Sequence, residues 1–147
     1  YPTNLFSTYP YEWIVVFCKG GKRKKVDKEI KEKSKITHKE WAEWAINSFW
    51  EMQPAKASSE KHPAPFPKEL PHRLIKLYSF YGDTVLDPFM GSGTTAEAAL
   101  ELGRNAIGYE LNEEYEPLIR EKCERGLMTF SQIKLDLSEE DKEAEDK

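Results

Sequence analysis

The chain has 147 residues, 39% hydrophobic and 33% charged, with a formal net charge of −4, enough for one modest domain. It holds no apolar run approaching the ~18–20 residues of a membrane span, and its start, Tyr1-Pro-Thr-Asn4, shows no signal-peptide pattern. Two cysteines, Cys18 and Cys123, stand in unrelated contexts without CxxC or histidine spacing, which excludes a disulfide scaffold and points to reduced thiols in the cytoplasm. Lacking Met, that start reads as internal to a longer protein. No Cys/His/Asp cluster suggests a metal site.

The charge is unevenly spread. Residues 19–39 hold nine Lys and one Arg against three acids, a local +7, whereas residues 138–147 hold six acids and two Lys. A basic block near the start and an acidic, frayed tail argue for a local anionic partner. Twenty Glu and 17 Lys against six Asn plus Gln is a balance seen in heat-adapted proteins.

Taken in chain order, Tyr11–Cys18 is an apolar, β-branched and aromatic run of strand length, ended by a Lys19-Gly-Gly-Lys22 turn. Lys22–Lys35 is highly charged, without an apolar period, and reads as a loop or mobile helix. Thr37-His-Lys-Glu40 matches a capping box. The helix after it would carry Trp41, Trp44, Ala45, Ser48, Phe49 and Met52 on one face, and Trp41, Trp44 and Trp50 with Phe49 would form either a small core or a surface that stacks on bases. Pro54–Ser59 is a linker, and His62-Pro-Ala-Pro-Phe-Pro67 is too proline-rich for helix or central strand. Pro71–Phe80 is predicted as a short helix with Leu74, Ile75, Leu77 and Tyr78 inward, stopped by Gly82. Then follow a strand at Thr84–Leu86, a helix at Thr94–Leu102 ended by Gly103, and a strand at Ala106–Tyr109. A helix at Glu113–Arg125 would be closed by Gly126, and Phe130–Leu137 would add a short strand or coil. Two parallel-type strands are too few to close a doubly wound sheet, so further strands are expected from residues before Tyr1 or from another chain.

The chemistry concentrates at Asp83-Thr-Val-Leu-Asp-Pro-Phe-Met-Gly-Ser-Gly-Thr-Thr95 and Asn105-Ala-Ile-Gly-Tyr-Glu110. Strand, glycine loop, helix, strand and acid is the layout that holds the ribose and charged tail of a nucleoside cofactor at the carboxyl ends of parallel strands. Gly91 and Gly93 let the backbone take positive φ and approach a ligand closely. The helix N-terminus after Gly93 suits a carboxylate, Asp87 could pair with an amino group, and Thr94 and Thr95 could cap the helix or bond that carboxylate. Glu110 lies 23 residues after Asp87, near the ~20-residue spacing of an acid that accepts ribose hydroxyls. No Lys follows Gly93, so this is not a phosphate P-loop.

Asp87-Pro-Phe-Met-Gly-Ser-Gly-Thr-Thr95 resembles the S-adenosylmethionine loop of the amino-group DNA methyltransferases, and His62-Pro-Ala-Pro-Phe-Pro67 resembles the segment that precedes that loop in their permuted, β-type members. The resemblance runs from about Tyr11 to Cys123 and is most specific over His62–Tyr115. It implies an α/β fold, Rossmann-like, in permuted order and incomplete in this chain. It divides the chain into a terminal strand (1–18), a variable basic target-recognition and linker region (19–61), an S-adenosylmethionine-binding part (62–137) and the acidic tail (138–147). The cofactor residues it implies are His62, Pro63, Ala64, Pro65, Phe66, Asp87, Pro88, Phe89, Gly91, Ser92, Gly93, Thr94, Thr95, Glu110 and Asn112. Phe66 and the stiff backbone around it would face adenine or methionine.

The activity implied is methyl transfer from S-adenosylmethionine to adenine N6 or cytosine N4. The partners implied are DNA, an upstream half of the protein or a partner chain, and a cognate restriction endonuclease. The family's catalytic tetrapeptide, (D/S/N)PP(Y/F/W), is absent from these 147 residues, so no catalytic residue is assigned and the chain alone is expected to be inactive. RNA guanine-N2 methyltransferases share the loop but place their tetrapeptide after it, and none follows Glu110. A non-catalytic fragment that binds S-adenosylmethionine is a further alternative, as is a pure DNA-binding module built on residues 19–50. Lys22, Arg23, Lys24 and Lys25 read either as a solvated face or as a phosphate-binding arm. Their place, where the family inserts its target-recognition region, favours the arm.

Overall fold

The computed structural model describes residues 11–21, 25–47, 49–53, 55 and 65–145, with side chains as far as residue 133. The expected linker at Pro54–Ser59, Ala55 apart, lies outside the described residues.

Helix α1 (Lys28–Lys33) gives part of the charged segment a helical form. Helix α2 (His38–Trp41) begins at the predicted capping box: Glu40 N–H donates to Thr37 Oγ1 at 3.2 Å, and Thr37 N–H donates back to Glu40 Oε2 at 2.8 Å. The helix is shorter than its apolar spacing suggests. It widens into a π-helical turn, Ala42–Ile46, and stops before Asn47, so Phe49 and Met52 fall beyond it.

The tryptophans also part company. Arg73 lies 5.5 Å from the Trp44 ring and 5.3 Å from the Trp50 ring, and Trp50 donates its indole N–H to Trp44 O at 3.1 Å. Trp41 and Phe49 stay exposed. Trp44 and Trp50 therefore gather around Arg73 of the next helix, apart from Trp41 and Phe49.

That helix, α3 (Glu69–Tyr78), starts two residues earlier than predicted and ends at Ser79. Pro71 sits in its first turn, where a missing N–H loses no helical bond. Pro71 and Ile75 are buried, while Tyr78, expected inward, is 62% exposed.

Strands β1 (Thr84–Asp87) and β2 (Asn105–Gly108) pair in parallel, Asp87 opposite Gly108. Helix α4 (Thr94–Glu101) connects them, as parallel pairing requires a crossover. Its small residues Ala98 and Ala99 are fully buried, and with Ile75 they form the core against which Val85, Leu102 and Ala106 pack. The other sheet face is open: Leu86 is 59% and Ile107 51% exposed.

The expected strand at Tyr11–Cys18 is not formed. These residues join no sheet, and Trp13 and Phe17 are 83% and 90% exposed. A strand exists only where a neighbouring edge takes its N–H and C=O groups, and the described sheet contains β1 and β2 alone.

A 3₁₀ turn (Glu113–Tyr115) leads into α5 (Glu116–Glu145). Three expectations are corrected here. Gly126 does not end the helix, residues 130–137 are helical rather than strand or coil, and the acidic tail expected to be frayed is helical as far as Glu145. Gly126 is where α5 crosses α4: a Cβ there would lie 2.7 Å from Glu97 O and 3.2 Å from Leu100 Cβ. The crossing is pinned by Glu97, which is 4% exposed and takes both branches of Arg125, Nε to Oε1 at 2.8 Å and Nη2 to Oε2 at 3.1 Å. Burial disfavours its charge, yet the Arg125 hydrogen bonds and the attraction of Lys68 and Arg125 hold its carboxyl below the usual range.

Candidate cofactor site

Two parallel strands that end side by side deliver their following residues to one place, and here those residues are Asp87 with its loop and Glu110. Asp87 Oδ1 accepts the Phe89 N–H at 3.0 Å, which turns the chain sharply after the strand. Tyr109 N–H donates to Asp87 O at 3.0 Å, and Met90 N–H to Tyr109 O at 2.9 Å, so the start of the loop continues the ladder with β2.

Glu110 then closes the loop. Its Oε2 accepts the Gly91 N–H and its Oε1 the Asn112 N–H, both at 2.8 Å. A carboxylate oxygen has room for more than one donor, so the acid can hold the loop and still accept ligand hydroxyls. Gly91 and Gly93 take φ of 53° and 85°, the left-handed region that glycine enters without strain. Gly93 has a second constraint, because a Cβ on it would lie 3.2 Å from Ile119 Cα. As a glycine N-cap it leaves the first turn of α4 without a side-chain cap, and such a turn attracts an anion.

A cleft of about 180 Å³ opens between Pro65 and Phe66 on one side and Phe89, Met90, Gly91, Ser92 and Thr94 on the other. It brings together members of both sequence signals. Pro88 and Phe89 are exposed, Phe89 at 87%. Thr95 and Asp87 touch a larger apolar cleft of about 560 Å³ between α3 and residues 14–17. Asn112 accepts the Glu114 N–H at 3.1 Å and caps the 3₁₀ turn. His62, Pro63 and Ala64, and the basic residues Lys22, Arg23 and Lys24, lie outside the described residues. Lys25 is exposed. Two acids, a glycine cradle and an uncapped helix start are a donor and acceptor set that fits a nucleoside carrying an amino-acid tail.

Residues 2–121 match the sequence profile of the N6_N4_Mtase family, described as DNA methylase. The chain belongs to this DNA methylase family. It is 43% identical over 125 residues to the type II methyltransferase M.MjaI of Methanocaldococcus jannaschii, covering 82% of this chain and 41% of that protein. It is 42% identical over 114 residues to M.BglI of Bacillus subtilis, covering 78% and 31%. The structure of TTHA0409 from Thermus thermophilus, complexed with S-adenosyl-L-methionine, superimposes with a TM-score of 0.63 at 35% identity, over 80% of this chain and 49% of that one. The chain thus spans less than half the length of each of these relatives. Its own fold is α/β with a parallel sheet, a partial Rossmann-like arrangement.

One residue that holds this loop was not legible as such. Lys122, from the second turn of α5, is 3% exposed and donates to Ser92 Oγ at 2.9 Å and Thr94 Oγ1 at 2.8 Å. A helical lysine ordinarily reads as solvated surface. The available signal was its register: Leu118, Lys122 and Gly126 fall four apart, on the stripe that faces α4.

Proposed function

We propose that this chain is the S-adenosylmethionine-binding, C-terminal half of a permuted DNA amino-methyltransferase, acting on adenine N6 or cytosine N4 in the cytoplasm. The observation that carries the reading is the convergence of Asp87, the Gly91–Gly93 loop and Glu110 at the ends of adjacent parallel strands, with Glu110 bonded to the loop itself. Two further observations support the half-site reading. The Leu86 and Ile107 sheet face is open among the described residues, where a parallel sheet is normally covered on both faces. The (D/S/N)PP(Y/F/W) tetrapeptide does not occur in the 147 residues.

In this reading Glu110 accepts the ribose hydroxyls, Asp87 accepts from the methionine amino group, and the start of α4 receives the carboxylate. Phe66 covers the adenosine side. S-adenosylmethionine supplies an electrophilic methyl group. The protein's part in this half of the site is to hold that ligand in line with the acceptor nitrogen, a contribution of positioning. The target base must leave the duplex stack, since its amino group is otherwise paired. Residues upstream of this chain would then hold the base, and a restriction endonuclease of the same specificity would be its cognate partner.

Calorimetry with S-adenosylmethionine on the full-length protein is the test. Glu110→Ala should weaken binding by about 1–3 kcal/mol, the scale of a lost charged acceptor, and Glu110→Gln by less. Unchanged affinity would remove Glu110 from the site. For DNA, replacing Lys22, Arg23, Lys24 and Lys25 by Ala should lower the salt slope of binding by about 0.9 for each phosphate no longer neutralised. The parent slope in that variant would return the segment to a solvated surface.

A further inference from the structure

We infer that Lys122 is a positioning residue for the amino-acid end of the cofactor, a role that rests on the reading proposed above. Ser92 and Thr94 flank Gly93 at the entrance to α4, and both are nearly as buried as Lys122, at 4% and 5% exposure. Lys122 Nζ reaches both hydroxyls, 2.9 Å to Ser92 Oγ and 2.8 Å to Thr94 Oγ1, and the two oxygens lie 3.3 Å apart. An ammonium group only donates. Each hydroxyl must therefore accept from Lys122, and its own proton is directed to another acceptor. Lys122 stands 28 residues beyond Thr94 in the chain, so the arrangement is a tertiary clamp and not a local turn.

Ile119, one turn earlier on α5, closes the same clamp from the backbone side, its Cα 3.2 Å from where a Gly93 Cβ would stand. Lys122 and Ile119 together thus grip all three residues of Ser92-Gly93-Thr94. Withdrawing either hydroxyl would take an acceptor from a buried cation, so the loop is locked in one shape before any ligand arrives. Locking of this kind strengthens binding by removing the ordering cost. It acts on the ligand end that meets the start of α4. Glu110, on the far side of the loop, takes its bonds from Gly91 and Asn112 and is not part of this clamp.

The consequence is selective, and a pair of thioether ligands reads it. S-adenosylhomocysteine carries the amino-acid end, and 5′-methylthioadenosine lacks it. Both are measured on the full-length protein by competition against labelled S-adenosylhomocysteine, so that weak binding of the shorter ligand still registers. Lys122→Met should raise the dissociation constant of S-adenosylhomocysteine by about tenfold, the scale of lost bonds to a charged group. Binding of 5′-methylthioadenosine should stay within about twofold, and Lys122→Arg should restore part of the loss. Equal weakening of both ligands, or of neither, would overturn the proposal and make Lys122 a support of the fold alone. Should Lys122→Met fail to fold, Lys122→Gln, which removes the charge at the same position, is judged by the same rule. If the parent protein binds neither ligand, the cofactor reading itself fails, and this role with it.

Discussion

Between residues 65 and 133, Ala96, Ala98 and Ala99 on α4 are at most 2% exposed, and glycine brings α5 against that helix. Between residues 11 and 53, no described side chain is buried, although this stretch is rich in large aromatic groups, among them Trp13, Phe17, Trp41 and Phe49. Apolar content alone therefore does not make a core. Small residues that let backbones approach do so in the α/β part, while the earlier segment attaches through cations: Arg73 and Lys76 over Trp44, and the Lys76–Glu40 ion pair between α3 and α2. Area removed from water is the larger stabilising contribution, and these partly buried ionic and cation–π contacts add less.

Substitutions on either side sharpen that contrast. Helix propensity by itself says that Gly126→Ala gains about 1 kcal/mol. The close crossing at Glu97 O says the reverse, and a net loss of about 2 kcal/mol is expected from overpacking. Urea unfolding gives the sign directly, and a stabilised variant would mean that α4 and α5 can separate freely.

Arg125→Ala is next in size. It leaves the buried Glu97 carboxylate with Lys68, 3.4 Å away, and should cost about 1–2 kcal/mol, because Arg125 is itself half exposed. This loss has a pH signature. The folded-state pKa of Glu97 lies below its ordinary 4.5, so the unfolded chain binds the proton first as pH falls. The stabilisation is present above the unfolded value and is lost as pH drops through the folded one. The gap between parent and variant should be full near neutrality and close on acidification below pH 4.5. A gap that persists in acid would show that Arg125 acts through packing of its stem.

The smallest effect belongs to the earlier region. Arg73→Met removes the cation from Trp44 and Trp50 and should cost about 0.5–1 kcal/mol, with a changed tryptophan emission. A loss as large as that of Gly126→Ala would erase the distinction between the two regions.

Legibility in the sequence followed the same division. Both strands, the glycine loop and α4 stand within a residue or two of their predicted places, as does the capping box at Thr37. Tyr11–Cys18 shows the limit: its composition suits a strand, but pairing belongs to two segments and cannot be written in one. The shortened helix after Trp41 and the outward Tyr78 failed for a related reason, since periodicity marks an apolar face without saying whether another element covers it.

By itself the sequence determined the features whose physics is local. Positive φ at Gly91 and Gly93, the turn at Asp87 and the reciprocal bonds of Thr37 and Glu40 all follow from sterics and hydrogen bonding within a few residues. What only the tertiary structure decided depends on what lies opposite. Gly126 reads as a helix end until α4 is seen 2.7 Å from its missing Cβ, and Lys122 reads as solvated until Ser92 and Thr94 are found at its ammonium. Their neighbours are distant in the chain, and packing fixes which groups meet only after the helices have crossed.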